Sequence, residues 1–338
     1  MSSSSGAATG EAVHFGLTPW RTTRETGSAL ESFVAQVELA ENLGFHSFWL
    51  PESHFTQPAA YPAPLLLLAA AAVRTQHLRL GTTSYLLPIR NPLHVAEEVG
   101  VLDQLSGGRV ILGVGRGFRP SLFEAFQVPR SEKRDRFEAS LAAILRAWRG
   151  ESVLDESEAE NVRAQAPLRL SPTPRQLPHP PIWVAAFGPK ALTQAGNLNL
   201  PYLASPLETL QRLVENYALH EAARPEDARN GQLPVPVIRT AFVTREAARA
   251  RAIRDALTKQ LRALAQTEQA LPRPAHDAPI DAWALVGEPE RVAEGIERYR
   301  EALGLTHLIL RAQVPEASAS ELAESVHLLA ELHGRFRG

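Results

Sequence analysis

The sequence predicts an α/β fold in which eight parallel strands, each followed by a helix, close into a barrel. Three observations support this prediction. Short runs of apolar and β-branched residues alternate with longer helical patterns, eight such pairs can be counted, and no linker divides them. A doubly wound open sheet is the alternative, and the count of eight favours the barrel. The predicted fold is therefore a (β/α)8 TIM barrel, with insertions after strand 4 and before the last strand.

The predicted strands are short, and helical spacing follows them. In the first helix, Leu30, Phe33 and Val37 recur at helical spacing, and Gly44 stands in the C-cap position. The strands are predicted at 13–17, 47–50, 78–82, 109–115, 182–186, 202–204, 236–243 and 306–312. The helices are predicted at 29–43, 62–75, 92–105, 131–149 and 245–262, from near 189, from about 206, and after the last strand.

Three stretches depart from the repeat. Residues 150–181 contain "LSPTPRQLPHPP", which is too rich in proline for a central strand or helix and predicts an excursion over the top of the barrel, for example an edge hairpin. Residues 265–280 form a second irregular segment, and long loops of this kind often act as lids. Residues 1–12 are small and polar, which predicts a disordered leader before a single domain at 13–338.

Composition restricts the classes of function. The chain has 338 residues, is 44% apolar and has a formal charge of −2, which gives no electrostatic reason to expect nucleic acid or an anionic membrane as partner. Cysteine is absent, which excludes thiolate catalysis and fits a cytoplasmic location. The most apolar run, at 62–73, is too short to span a bilayer.

Polar residues that follow the strands are the candidates for chemistry, because active sites of such barrels lie at the carboxyl ends of the strands. After "SFWL" the chain continues "PESHF", which brings Glu52, Ser53 and His54 together. A histidine beside a glutamate has the makings of a tuned base, while a hydrogen-bonded packing role is the alternative. Neither the histidines nor the acids show metal-ligand spacing, so we expect no metal site.

Two turns are suited to binding an anion. "LGVGRGF" at 112–118 combines glycines, which let a ligand approach the backbone, with Arg116; a tight turn with a surface arginine is the alternative. "AAFGPKAL" at 185–192 places Pro189 near the first position of a helix, whose free amides form a phosphate site. Lys190 adds charge there or is simply solvated. Two such turns on adjacent strands favour a phosphorylated cofactor.

Four segments of the chain resemble the bacterial luciferase-like flavin-dependent monooxygenases, and the resemblance covers about residues 13–335. The segments are "ENLGFHSFWLPESHF", "LRLGTTSYLLPIRNPLHVAEEVGVLDQLSGGRVILGVGRGF", "PPIWVAAFGPKAL" and "VGEPERVAEGIERYREALGLTHLILRAQVP". The second segment is the most specific, because a run of that length rarely matches by chance.

The resemblance implies an enzyme that uses reduced FMN (FMNH2) and O2. In this family oxygen adds to the flavin, and the resulting C4a-peroxyflavin oxygenates a small organic substrate, so that paired donors are oxidised. A separate NAD(P)H:flavin reductase usually supplies the reduced flavin. Family members are mostly homodimers through their second and third helices, and the Ala-rich helix at 62–75 permits close packing.

The resemblance also assigns roles to residues. It implies that Arg116 contacts the FMN phosphate together with backbone groups of a helix start, and that a cis peptide bond between Thr83 and Ser84 lies under the flavin ring. The helix start consists of Ala186, Phe187, Gly188, Pro189 and Lys190.

The sequence departs from the luciferases at two positions. Ser53 stands where they have a catalytic histidine, and Gly115 stands where they have a cysteine beside the flavin. A serine hydroxyl is no base near neutral pH unless another group activates it, so either His54 takes over or the reaction needs no base there. Two alternatives remain: a coenzyme F420-dependent oxidoreductase of the same fold, and a catalytically silent flavin-binding protein.

Overall fold

The computed structural model describes residues 12–21, 32–56, 60–154, 166–264 and 278–337, and ten strands lie in these ranges. All of the strand pairs are parallel. The strands are β1 (His14–Leu17), β2 (Ser47–Leu50), β3 (Arg79–Thr82), β4 (Tyr85–Leu86), β5 (Val110–Gly115), β6 (Ile182–Ala185), β7 (Tyr202–Leu203), β8 (Pro236–Val243), β9 (Ala284–Gly287) and β10 (His307–Arg311).

Eight of the described strands close into a ring. The sheet runs in the order β7-β6-β5-β3-β2-β1-β10-β8. An isolated parallel bridge between Ala204 and Val237 then joins the end of β7 to β8. Two backbone hydrogen bonds hold this bridge, from Ala204 N to Pro236 O (3.3 Å) and from Ile238 N to Ala204 O (3.4 Å). These eight strands are the eight that the sequence predicts, so the predicted barrel is confirmed.

A small apolar cluster fills the interior of the ring. Its two largest members, Trp49 and Trp183, stack with their ring centroids 4.8 Å apart. Gly16 and Gly81 leave the room that the Trp49 indole occupies, because a Cβ atom on either glycine would overlap that ring. Six strands contribute to the cluster, through Trp49, Ile111, Trp183, Leu203, Ile238 and Ile309.

Helices surround the ring and bury the outer faces of its strands in the main apolar core. Among the described residues, no helix combines the length and the apolar character that a transmembrane span requires. The helices are α1 (Phe33–Asn42), α2 (Pro64–Ala72), α3 (Pro92–Leu105), α4 (Pro120–Ala125), α5 (Lys133–Trp148), α6 (Pro189–Asn197), α7 (Leu210–Ala222), α8 (Ala247–Leu264), α9 (Pro289–Leu303) and α10 (Ala319–Arg335).

Several helix ends follow directly from the sequence. Gly44, with φ of +74°, follows α1 as predicted, in a backbone conformation that favours glycine. Before α3, the Asn91 side chain accepts a hydrogen bond from the backbone N–H of Leu93. Ser318 and Glu321 form a reciprocal capping box at the start of α10. The signals at Gly44 and Asn91 explain why the predicted carboxyl end of the first helix and the predicted start of the third agree with the structure.

The sequence missed four elements. β4 and α4 are too short to show a periodic pattern, and β9 with α9 lies directly after the irregular segment predicted at 265–280. Only its end is described, because residues 265–277 lie outside the described ranges, as do residues 1–11 of the predicted leader. β9 pairs with the carboxyl-terminal half of β8, outside the ring of eight.

The excursion after the fourth predicted strand was placed at the wrong end of the barrel. Its described residues, 150–154 and 166–181, contain no strand. The Gln176 side chain bonds to Asp103, Arg79 and the carbonyl of Val110, and Arg79 and Val110 start their strands. This part of the segment therefore packs at the amino end of the ring, because α5 returns the chain to that end before β6 begins.

We predict that Gly113→Ala strongly destabilises the fold. A Cβ atom there would overlap the backbone carbonyl of Thr82, which cannot move without disturbing β3. We expect the free energy of unfolding in urea to fall by about 3 kcal/mol, the upper part of the usual range for overpacking. Gly334→Ala is the control, because a Cβ atom on this glycine in α10 meets no atom within 4 Å. Equal stability of the two variants would contradict the prediction.

Candidate active site

A cavity of about 810 Å³ opens at the carboxyl ends of the strands. Its lining comes from the segments that follow β2, β3, β5, β6 and β7, and includes Ser53, Ser84, Arg116, Phe187 and Ser205. This is the end at which barrel enzymes hold their active sites, and the volume lies within the usual range for small-molecule sites. Many, though not all, of the strand-end residues that the sequence singled out therefore meet around one cavity.

One wall of the cavity is rich in positive charge. Most of these cations come from the segment between β5 and the first turn of α5, and the sequence analysis missed all of them except Arg116 and Lys190. Their signal was the charged run "RSEKRDR" at 130–136, which was interpreted as part of an amphipathic helix. The cations that line the cavity are Arg116, Arg119, Arg130, Lys133, Arg134 and Lys190, against the acids Glu52 and Asp135.

Arg116 is the most notable of these cations. Its guanidinium carbon lies 4.4 Å from the centroid of the Phe137 ring. Its Nε and Nη2 atoms are buried, and within the described residues they have no hydrogen-bond partner. Burial, followed by the charge of Arg134, lowers the pKa of Arg116 to about 10, so the side chain stays charged near neutral pH. Buried unpaired donors with a full positive charge are suited to bind an anion that enters the cavity.

Lys133, at the start of α5, is affected by the charges of the same group of cations. Burial first, and then the charges of Arg130, Arg116 and Arg134, lower the pKa of its ammonium group. Cations are costly to hold this close together, because each disfavours the charged form of the others. A bound anion relieves this repulsion, so the wall is suited to a phosphate group.

The peptide bond between Thr83 and Ser84 is cis, which confirms the prediction from the family resemblance. The Thr82 hydroxyl donates to Gly113 O (2.7 Å), and Thr83 N donates to Leu50 O (2.8 Å), which fixes the turn after β3. Gly115 lies beside this turn, and a Cβ atom there would overlap the Ser84 hydroxyl. Glycine at 115 therefore makes room for the Ser84 side chain, where the luciferases have a cysteine.

The start of α6 meets the cavity only in part. Phe187 and Lys190 line it, whereas Ala186 is buried in the apolar core. Gly188 has φ of +77° and directs the chain into the helix. Pro189 lines a neighbouring cavity of about 490 Å³ that it shares with Lys190. Of the five residues from Ala186 to Lys190, the structure thus brings two to the main cavity.

Glu52 anchors the loop after β2. Its side chain is fully buried. Its Oε1 atom lies 2.5 Å from Nε2 of His54 and accepts a hydrogen bond from Nη1 of Arg90 (2.8 Å). Its Oε2 atom accepts from the backbone N–H of Leu86 (2.9 Å). These contacts join the loops that follow β2 and β3, so Glu52 holds two walls of the cavity together.

Ser53 and His54 point to different sides of the loop. Ser53 lines the cavity, and its Oγ accepts a hydrogen bond from the backbone N–H of Tyr61 (2.9 Å), which leaves the hydroxyl hydrogen available to a ligand. His54 is 6% exposed and lies outside the cavity lining. Its ring contacts Glu52 and packs edge-on against Phe126, with centroids 5.0 Å apart. This placement matches the packing role that the sequence left open.

The structure brings three further histidines together at the opposite end of the barrel. His14, His46 and His307 have potential ligand nitrogens within 4.8 Å of one another. The sequence analysis expected no metal site, because these residues are far apart in the chain and show no ligand spacing. Only the closure of the ring makes them neighbours.

Comparisons with known sequences identify the same protein family. The sequence profile described as luciferase-like monooxygenase matches residues 12–307. The chain is 28% identical over 334 residues to limonene 1,2-monooxygenase of Rhodococcus erythropolis, covering 94% of this chain and 85% of the relative. It is 30% identical over 194 residues to the oxygenase component of a flavin-dependent trigonelline monooxygenase of Acinetobacter baylyi, covering 56% of this chain and 52% of that protein.

Some curated relatives are matched over little more than half their length. An uncharacterized protein of Sinorhizobium fredii is 34% identical to this chain over 208 residues, which is 58% of each protein. A second uncharacterized protein of the same organism is matched over 54% of its length.

Solved structures share the fold. Monooxygenase RslO1 of Streptomyces bottropensis superimposes with a TM-score of 0.79 at 27% identity, covering 94% of this chain and 98% of that one. The FMN complex of the oxygenating constituent of 3,6-diketocamphane monooxygenase from Pseudomonas putida gives 0.74 at 20% identity, covering 96% and 98%. A coenzyme F420-dependent tetrahydromethanopterin reductase from Methanopyrus kandleri gives 0.65 at 17% identity, covering 97% and 99%. The last two show the fold alone.

We predict that Glu52→Ala destabilises the protein by about 3–5 kcal/mol, the range for removing one partner of a buried ion pair. The change leaves the half-buried Arg90 and the Leu86 amide without their acceptor. Glu38→Ala is the control, since its ion pair with Arg74 is exposed and should contribute less than about 1 kcal/mol. Urea unfolding of both variants measures the difference. A loss at Glu52 no larger than at Glu38 would show that the network is not stabilising.

Proposed function

Because the chain belongs to the luciferase-like monooxygenase family, we propose that it is an FMN-dependent monooxygenase that uses reduced FMN and O2 to oxygenate a small organic substrate. The observation that carries the choice of cofactor is Arg116, whose buried donors lack partners among the described residues. Arg116 itself lines a cavity whose wall is cationic. A phosphorylated cofactor provides the anion that this wall requires.

The phosphate of FMN would lie between two structural elements. Arg116, Lys133 and Arg134 provide charge from the segment that follows β5, and Lys190 provides it from the first turn of α6. The dipole of α6 favours an anion at the same end. The four cations compensate the two charges of the phosphate, and repulsion among them decreases when it binds.

The flavin ring would lie on the turn after β3. Thr83, Ser84 and Gly115 line the cavity there, and Ser53 lines it from the loop after β2. Reduced FMN, when bound, supplies the two electrons that reduce O2, so that one oxygen atom enters the substrate and the other leaves as water. The protein orients this reaction: the Ser53 hydroxyl hydrogen is available for donation to a ligand, and the Glu52 network keeps the loop in place.

An apolar part of the same cavity would hold the substrate. Limonene and trigonelline, the compounds in the names of two relatives, are both small organic molecules. The cavity also has apolar lining residues, which suit a molecule of that size that has an apolar surface. Its apolar lining includes Phe118, Leu122, Phe187, Leu203, Leu207 and Ile238.

A separate NAD(P)H:flavin reductase would deliver the reduced cofactor. The trigonelline enzyme is described as an oxygenase component, which supports a division of labour between two proteins. We also propose a homodimer, because α2 and α3 expose large apolar side chains. These are Leu66 on α2, Val73 at its end, and Val101 and Leu105 on α3.

The proposed function is tested with purified protein, FMN, NADH and a bacterial flavin reductase under 18O2. We expect one 18O atom in the product of at least one compound from a panel of small organic molecules that includes limonene and trigonelline. Tighter binding of coenzyme F420 than of FMN, with hydride transfer in the absence of O2, would identify the alternative oxidoreductase. Binding of FMN with no oxygenated product across the panel would favour the silent flavin-binding protein.

We predict that Arg116→Ala weakens the binding of FMN by about 1.5–3 kcal/mol, the range for a charge-assisted hydrogen bond. Riboflavin has no phosphate, so its affinity should be the same in both proteins. Arg251→Ala on the exposed face of α8 is the control and should leave both affinities unchanged. Fluorescence titration of the parent and both variants with oxidised FMN and with riboflavin measures the six dissociation constants. Unchanged FMN affinity in the Arg116 variant would remove this arginine from the phosphate site.

We predict that His54→Asn reduces product formation by less than about tenfold, because the ring lies behind the cavity wall. Loss of a general base would instead cost about 10²–10⁴-fold. Steady-state assays with saturating reduced FMN measure the change, and Ser53→Ala is the comparison at a residue that does line the cavity. A loss of 100-fold or more at His54, with FMN affinity unchanged, would show that His54 transfers a proton during the reaction.

A further inference from the structure

Three imidazoles meet at the amino end of the barrel, far from the cavity. His14 and His307 each begin a strand, and their Cα atoms are register partners in the pair of β1 and β10. His46 immediately precedes β2, and its backbone N–H donates to Phe15 O (2.8 Å). Because β1 lies between β2 and β10 in the sheet, the three side chains come from three adjacent strand starts.

The rings are close enough to share a ligand. The centroids of His14 and His46 are 4.2 Å apart, those of His14 and His307 are 5.0 Å apart, and those of His46 and His307 are 5.5 Å apart. One nitrogen from each ring lies within 4.8 Å of the other two. Tetrahedral coordination at about 2.0–2.1 Å brings ligand nitrogens to roughly 3.4 Å from one another. Small side-chain rotations are enough to close that difference.

The chemical state of the rings is the one that metals bind. Burial, followed by neighbouring histidine and arginine charges, lowers the pKa of His46 and of His307 to about 3. Burial and the charge of Arg79 also lower the pKa of His14. The three imidazoles are therefore neutral near pH 7, and a neutral imidazole has a lone pair to donate.

His46 provides an independent indication of a missing partner. Its Nδ1 atom is buried and has no hydrogen-bond partner among the described residues, which is uncommon for a polar atom inside a protein. His307 is already oriented, because its Nδ1 lies 2.9 Å from the Thr306 hydroxyl, which leaves Nε2 for another ligand. Metal-binding histidines are commonly fixed in this way through their second nitrogen.

The charge of Arg79 determines which further ligand an ion bound by the three histidines would carry. The backbone N–H of Arg79 donates to His46 O (3.0 Å), and the charge of Arg79 lowers the pKa of all three histidines. Its Nε atom is buried and lacks a partner in the described part of the chain. The positive charge of Arg79 disfavours a divalent metal ion that carries no anion. It favours a metal ion whose fourth ligand is an anion, such as hydroxide or chloride.

We propose that His14, His46 and His307 form a binding site for a divalent transition-metal ion, with Zn²⁺ the best match. Zn²⁺ is bound by three neutral imidazoles with an open fourth position in known sites, and imidazole suits it better than Mg²⁺ or Ca²⁺. The interior cluster around Trp49 and Trp183 separates this site from the cavity, and the Trp183 ring packs edge-on against His307 (5.0 Å). The site is therefore separate from the cavity, and a bound ion would link the starts of three strands.

The test is metal binding by the full chain after dialysis against a chelator. We expect calorimetry to show one Zn²⁺ ion per chain, and Co²⁺ to give the visible absorption of a tetrahedral site. His46→Gln and His307→Gln should each weaken binding by more than about 100-fold, beyond the loss caused by outer-shell changes. His94→Gln, on the exposed face of α3, is the matched control and should bind as the parent does.

X-ray absorption of the Zn²⁺-loaded parent needs no variant, so it decides the matter if the histidine variants fail to fold. We expect scattering from three imidazoles at about 2.0–2.1 Å. Fewer imidazoles, no stoichiometric binding by the parent, or equal affinity in the parent and a folded His46 or His307 variant would each overturn the proposal.

Discussion

The stacked indoles of Trp49 and Trp183 are the contact on which the rest of the barrel depends. They are the two largest side chains inside the ring, and the Trp49 indole N–H donates to the Ser47 hydroxyl (2.8 Å). Because Gly16 and Gly81 contribute no side chains there, the Trp49 indole fills space that several smaller side chains would otherwise occupy. A packed middle layer fixes the spacing of the strands. The two ends of the barrel are thereby free to carry polar chemistry.

At the carboxyl ends of the strands, where the cavity lies, neighbouring backbone segments approach one another closely. Gly113 and Gly115 in β5 let the turn after β3 come against their strand, and the Thr82 hydroxyl donates to Gly113 O. Glu52 then joins this turn to the loop after β2. Contacts between neighbouring strand ends thus hold this part of the cavity lining in place, while most of the cations come from the separate segment that leads into α5.

Much of the fold and part of the site follow from the sequence alone. The eight ring strands were predicted because each is an apolar run next to a helical pattern, and Arg116 because it follows such a run directly. β9 was missed because it adjoins an irregular segment, which interrupts the alternation of strand and helix patterns. The side on which His54 lies depends on its contact with Glu52, a tertiary interaction that local spacing does not encode.

The histidine cluster was beyond sequence reasoning for a related physical reason. Ligand spacing can be recognised only when one helix or one hairpin supplies the ligands, whereas these three histidines start separate strands. Likewise, the charges at 130–134 look like an ordinary solvated helix face until the cavity is located.

The cationic wall has a kinetic consequence. Under the proposed function, a reduced flavin released by another protein would reach this cavity by diffusion, and dissolved oxygen would oxidise it on the way. Six cations around one opening attract an anion over a distance set by the ionic strength, about 8 Å in physiological salt. Such steering raises association rates by about 10–10³-fold. Added salt weakens this steering. A smaller share of the electrons carried by the flavin would then reach the substrate, and a larger share would be lost to oxygen in solution. The contacts in the bound state would be unchanged.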